Sequence, residues 1–131
     1  MEIQEIVVEL GGDVRSKLNS NFSNIKNEIY LNTLLLETDV RTNNYILELL
    51  DVGKVVVMNV LGASTLTVPK NDAVDFPIGT IIYICNISSD VVTILGATDV
   101  IIRNAGDITQ YGDVRLRKRL DNEWILTGNV L

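Results

Sequence analysis

The sequence predicts a mainly β protein, with an N-terminal coiled-coil-like helix followed by a small antiparallel β-sandwich or barrel head. Two observations carry this expectation. From Asp13 to about Glu37 the apolar residues recur at helical spacing. From Tyr45 to Leu131 they alternate or run in short blocks at strand spacing, punctuated by Gly, Asn-Asp and Pro. The chain thus divides into a leading segment 1–12, a helical stem 13–37, a linker 38–44 and a β head 45–131.

The leading segment contains Ile3-Gln4-Glu5-Ile6-Val7-Val8-Glu9-Leu10, which is β-prone and is broken by Gly11-Gly12. A short strand ahead of a flexible hinge suits a docking peptide, and equally a frayed terminus or a strand lying on the stem. Asp13 is a good N-cap for the stem. The stripe that follows is Leu18, Phe22, Ile25, Ile29, Asn32 and Leu36, with spacings of 4, 3, 4, 3 and 4. That is the alternation of coiled-coil core positions, and a lone Asn in such a seam fixes register at some expense in stability. A lone helix with one apolar stripe needs a partner for it, so the stem predicts self-association, with packing against its own β head as the competing arrangement.

Segment 38–44, Thr38-Asp39-Val40-Arg41-Thr42-Asn43-Asn44, is polar and poor in helix formers, as a linker would be. Strands are expected at 45–50, 54–60, 65–69, 79–87, 91–95, 99–103, 113–120 and 123–128. Turn residues separate them, among them Asp51-Val52-Gly53, Leu61-Gly62-Ala63 and Asn104-Ala105-Gly106-Asp107. The last two form a hairpin about Asp121-Asn122. Taken without irregularity, that hairpin sets Arg119 opposite Trp124 and Arg117 opposite Leu126, with Arg115 on the same face. This basic cluster with Trp124 is a candidate intersubunit or ligand face, and Arg119 over Trp124 would be a cation–π pair.

Composition narrows the chemistry. Formal charge is −6, from 17 acidic and 11 basic residues, which opposes non-specific nucleic-acid binding. Histidine is absent, which removes the commonest general base and metal ligand. Cys85 is the single cysteine, so no intrachain disulfide forms, and its apolar strand context marks it as a buried small residue. No apolar run approaches the roughly 20 residues of a membrane span. The acidic start lacks the basic n-region of a signal peptide, so synthesis in a cytoplasm is expected. Asp72, Asp75, Asp99, Asp107 and Glu123 are candidate paired carboxylates, but nothing in the sequence brings two together. Asn71, Asp72 and Asp90 lack the spacing of a dedicated calcium loop. The expectation is therefore no enzyme, no cofactor and no metal.

Several strings also resemble a known family. Leu116-x-Lys118-x-x-x-Asn122-x-Trp124-x-Leu126-x-Gly128 resembles the end of a small β domain common in bacteriophage tail-fibre and other virion fibre proteins. Tyr45-x-Leu47, Asp51-x-Gly53-Lys54 and Val55-Val56-Val57-Met58-Asn59 look like that domain's opening. Ala63-Ser64-Thr65-Leu66-Thr67-Val68-Pro69 with Phe76-Pro77-Ile78-Gly79-Thr80 looks like its middle. Gly12-Asp13-Val14-Arg15 and Lys17-Leu18-Asn19-Ser20-Asn21-Phe22 resemble a helical element near the start of many phage fibre chains, without the longer Gly/Asp-rich loop that usually leads into it.

The resemblance implies a homotrimeric virion protein: a short head fibre, capsid decoration or tail-fibre component. It would be made in the host cytoplasm and be held to capsid, neck or tail proteins through its N-terminus. The heads would be adhesive toward a host-surface glycan, with no nucleic-acid or membrane partner. The rival classes are a monomeric carbohydrate-binding or adhesion module and a depolymerase-associated fragment.

Overall fold

A computed structural model of the chain describes residues 34–128 and 130. The chain divides into a unit ending at Leu34 and a second unit, Leu35–Leu131, which holds all nine strands of the described residues. The expected docking segment 1–12 and the seam residues Leu18, Phe22, Ile25, Ile29 and Asn32 lie outside the described residues.

The second unit is mainly β. Its strands are β1 (Tyr45–Ile46), β2 (Val55–Met58), β3 (Ser64–Val68), β4 (Ile81–Asn86), β5 (Val92–Gly96), β6 (Ile101–Arg103), β7 (Asp107–Ile108), β8 (Asp113–Leu120) and β9 (Glu123–Gly128), with one 3-10 turn at Leu49–Asp51. Alternation drives these strands. Leu66 and Val68 of β3, Ile82 and Ile84 of β4, Val114 and Leu116 of β8, and Trp124 and Leu126 of β9 all face one shared core. Phe76, from the loop before β4, meets the Trp124 ring edge-on at 5.4 Å and 88°.

Two sheets enclose that core: a four-stranded sheet in the order β1-β3-β5-β7 and a five-stranded sheet in the order β2-β4-β8-β9-β6. From β1 to β6, consecutive strands belong to opposite sheets, so same-sheet neighbours are two strands apart in sequence and run parallel. The β1–β3, β3–β5, β2–β4 and β6–β9 pairs are parallel, whereas β4–β8, β5–β7 and β8–β9 are antiparallel. This corrects the expected antiparallel head: alternation shows which side chains face inward but not which strand lies alongside. The β2–β4 and β3–β5 pairs share one register offset, Val55 against Tyr83 and Ser64 against Val92, while β1–β3 is set closer in sequence, Tyr45 against Leu66. Successive passes therefore stack as rungs.

The polar segment before β1, expected as a linker, lies along the edge of β2 through isolated bridges. Val55 donates its N–H to Leu36 O at 2.8 Å, Thr38 to Val55 O at 2.8 Å and Asn59 to Arg41 O at 2.8 Å. Bridges join Glu37 to Val55 and Arg41 to Met58, both parallel. The free edge of β2 recruits this backbone despite its composition. The expected helix accordingly does not reach Glu37: residues 34–37 carry no helical turn, and Leu36 of the proposed seam is half-exposed beside β2.

Candidate functional site

The expected register of the C-terminal hairpin is corrected by one residue. Asp121-Asn122 form the turn, but a bulge between Lys118 and Leu120 inserts Arg119 as an extra residue. Lys118 therefore stands opposite Trp124, Arg117 opposite Ile125 and Arg115 opposite Thr127. Trp124 points into the core at 1 % exposure, so the expected Arg119–Trp124 cation–π pair does not form. Arg115 and Arg117 remain on the outer face of the five-stranded sheet, next to Tyr83 and Ile81 of β4.

Arg119 finds a different partner. Its Nη1 donates to Glu123 Oε2 at 2.6 Å, while Arg103 Nε on β6 donates to Glu123 Oε1 at 2.7 Å. The hydrogen bond from Arg103, then that from Arg119, holds the Glu123 carboxyl below its ordinary pKa against a smaller opposing effect of desolvation. Both guanidiniums are more than half exposed. Beside them lies an open groove of about 640 Å³ whose walls include the exposed aliphatic residues Ile78, Ile101 and Leu120. Sequence reasoning missed Arg103. Its signal was parity: on β6 it shares the outward face with Ile101.

Two buried polar clusters complete the framework. Lys118, 1 % exposed, donates its Nζ to Asn71 Oδ1 and, at 2.6 Å, to Phe76 O. Asn71 is fixed in turn by its own N–H, which donates to Asn122 Oδ1 at 2.9 Å. Near the chain's entry to the domain, the buried Asp51 carboxylate accepts from Tyr45 Oη at 2.7 Å and from the Glu48 N–H at 2.8 Å. The Arg41 guanidinium lies 4.4 Å from the Tyr45 ring centroid and 3.9 Å from Asp51 Oδ1. Burial, followed by the hydrogen bond to Asp51 and the charge of Asp51, pushes the Tyr45 hydroxyl far above the usual phenol range. These clusters tie segments together, and Arg41 and Tyr45 of the second also line a small open depression of about 260 Å³.

Of the candidate carboxylates, Asp72 and Asp99 meet at one lysine, and Asp107 and Glu123 are engaged elsewhere. Asp72 and Asp99 lie 4.0 and 3.3 Å from Lys70 Nζ, Asp107 accepts from Thr93 Oγ1 at 2.7 Å, and Glu123 is held by its two arginines. The oxygens considered for calcium are otherwise engaged, Asn71 Oδ1 by Lys118 and Asp90 Oδ2 by the Gly62 N–H at 3.0 Å. Among the described residues, no three His, Cys, Asp or Glu side chains gather as metal ligands would. Cys85 sits on β4, its thiol pKa raised first by burial and then by the charges of Asp113 and Glu37. No family model, curated protein or solved structure matches the chain.

Proposed function

We propose that this chain is a non-enzymatic structural protein of a bacteriophage particle, a short homotrimeric head fibre, decoration or tail-fibre component that presents its β domain to the host surface. The observation that carries the reading is the open, apolar end at which the chain enters the β domain. A stack of β rungs ordinarily finishes in a polar cap. Here the last four-stranded-sheet neighbour at that end is β1, whose outer edge pairs with no other strand of the described residues. Beside it Ile46, Leu49 and Leu50 are exposed, Leu50 at 75 %, and Leu35, Leu36 and Val40 are exposed along the segment that leads in past the five-stranded sheet. An exposed apolar patch beside an open strand edge is an association surface.

The occupants are further copies of this chain. These exposed residues follow the segment whose stripe, Leu18 to Asn32, has coiled-coil spacing. Chains zipped through that stripe deliver their apolar ends to one another. The resemblance of the strings in residues 12–22 and 45–128 to phage fibre elements supports the same plan and supplies the particle context. Segment 1–12 then serves as the dock to capsid, neck or tail proteins, and the protein passes from the host cytoplasm into the virion.

Light scattering of the full chain tests the assembly. The expected mass is three times 14.5 kDa. Ile25→Asp with Ile29→Asp dissociates the trimer, and Leu49→Asp with Leu50→Asp weakens it on dilution. A monomer at about 10 μM, where mass action favours a specific trimer, overturns the reading.

A further inference from the structure

We infer that the outer face of the five-stranded sheet, centred on the groove between β6 and the β8–β9 turn, binds an acidic saccharide. Although the chain carries a charge of −6, this face carries four arginines, Arg103, Arg115, Arg117 and Arg119, with the carboxylates Asp99, Asp121 and Glu123 among them in the groove. Arg115 and Arg117 project from β8 on the side away from the core, and Arg103 and Arg119 flank the groove. Glu123 occupies one nitrogen of each flanking guanidinium, Nε of Arg103 and Nη1 of Arg119. Among the described residues, no acceptor lies within hydrogen-bond distance of their remaining nitrogens. Glu123 thus fixes the two forks while leaving donors free, and a fork held in place recognises a carboxylate with little further loss of side-chain entropy.

The rest of the groove specifies what carries that carboxylate. Ile101 and Leu120 offer an aliphatic platform for the apolar face of a ring. The Asn122 amide nitrogen is free to donate, its oxygen being engaged by the Asn71 N–H. Asp121, in the exposed turn, is an acceptor suited to hydroxyls, and Asp99 is drawn off to Lys70 at 3.3 Å. Donors, an acceptor and an aliphatic wall around two guanidiniums match a uronic-acid sugar better than a bare anion. The density of negative charge on a nucleic acid disfavours it as the ligand of so acidic a chain. The inference rests on these residues alone and stands whatever the subunit number.

The test is amide NMR of the full chain with trigalacturonate, its methyl ester, inorganic phosphate and a single-stranded oligodeoxynucleotide. At about 10 mM trigalacturonate, enough to saturate a site with Kd near 1 mM, shifts are expected in residues 101–103 and 119–123. The methyl ester and phosphate should leave those residues unmoved. Arg103→Gln and Arg119→Gln, both at exposed positions, should each weaken binding roughly tenfold, as the loss of a charge-assisted hydrogen bond does. Ile101→Ser, which leaves the charges intact, should weaken it less. Each variant's thermal melt identifies any that fails to fold, and Leu120→Ser then takes the place of Ile101→Ser. The inference is overturned by an absence of shifts with trigalacturonate. Equal shifts with phosphate, tighter binding of the oligodeoxynucleotide, or arginine variants that bind as the parent does would overturn it too.

Discussion

Lys118 provides the sharpest quantitative test of how this domain is held together. It is a fully enclosed ammonium whose acceptors, Asn71 Oδ1 and Phe76 O, are both neutral. Removing an acceptor and removing the charge therefore have unequal effects. Asn71→Ala leaves the ammonium in place with one acceptor fewer, and the loss of a hydrogen bond to an enclosed charge is worth about 3 kcal/mol. Lys118→Met keeps the aliphatic stem and abolishes the need to desolvate a charge. Phe76 O then lacks a donor, a penalty of about 1–3 kcal/mol, which the relieved desolvation largely offsets.

In a domain of this size 1 kcal/mol moves Tm by roughly 4–8 °C. Asn71→Ala should thus lower Tm by about 12–24 °C, while Lys118→Met stays within about 8 °C of the parent. Asn71→Asp places a carboxylate against the ammonium and should melt at or above the parent. Circular dichroism melts and urea titrations of the three variants read these shifts. If Lys118→Met loses as much as Asn71→Ala, the buried charge is not the costly element and the reasoning fails.

Other predictions concern single groups. Because the folded pKa of Glu123 is depressed, the unfolded state takes up its proton first on acidification. Its contribution is complete above the unfolded value of about 4.3 and disappears as pH falls through the lower folded value. Urea titrations between pH 3 and 6 should show Glu123→Gln removing part of the parent's acid sensitivity. The folded Tyr45 hydroxyl is raised, so its contribution is intact below about pH 10 and is lost as pH climbs toward the folded value. Ultraviolet titration of the parent against Tyr45→Phe should find the Tyr45 hydroxyl silent until alkaline unfolding. Gly96→Ala would place a Cβ 2.5 Å from Val100 O, so the turn after β5 must shift. A loss of about 1–3 kcal/mol is expected in a urea titration, and an unchanged midpoint would refute that close approach. Trp124→Ala removes the largest core side chain and should lose about 3–5 kcal/mol in the same assay.

The positions of the strands were largely legible, because alternation of Val and Leu with polar residues is written into β3 and β8, and β4, β5 and β9 are short blocks rich in Ile, Val and Leu between turn residues. Their neighbours were not, since parity is silent on whether a strand returns beside its predecessor or crosses to the other sheet. Segment 36–41 was missed because its backbone, not its side chains, earns its place on β2. The two-residue strand β7 carries too few residues to show a period. The basic cluster was found but aimed wrongly at Trp124, since a bulge leaves no mark on composition. Parity did hold the correction: Lys118 matches Val114 and Leu116, which face the core, and Trp124 matches Leu126. The second arginine at the groove arrives from β6, 20 residues before Glu123, and only the parallel β6–β9 pairing joins them.

That pairing also constrains how the chain is made. In the five-stranded sheet, β9 lies between β8 and β6, so the last strand in the sequence is an interior one. Among the described residues, β6 has β9 as its only hydrogen-bonded neighbour in that sheet. A ribosome that has synthesised residues 101–103 has produced a strand with nothing to pair with, and it must wait for residues 123–125 to emerge. The Arg103–Glu123–Arg119 clamp likewise does not exist on any nascent chain shorter than that. Cutting the domain within its final strand therefore splits a sheet down the middle where, in most β folds, the same cut would only fray a margin.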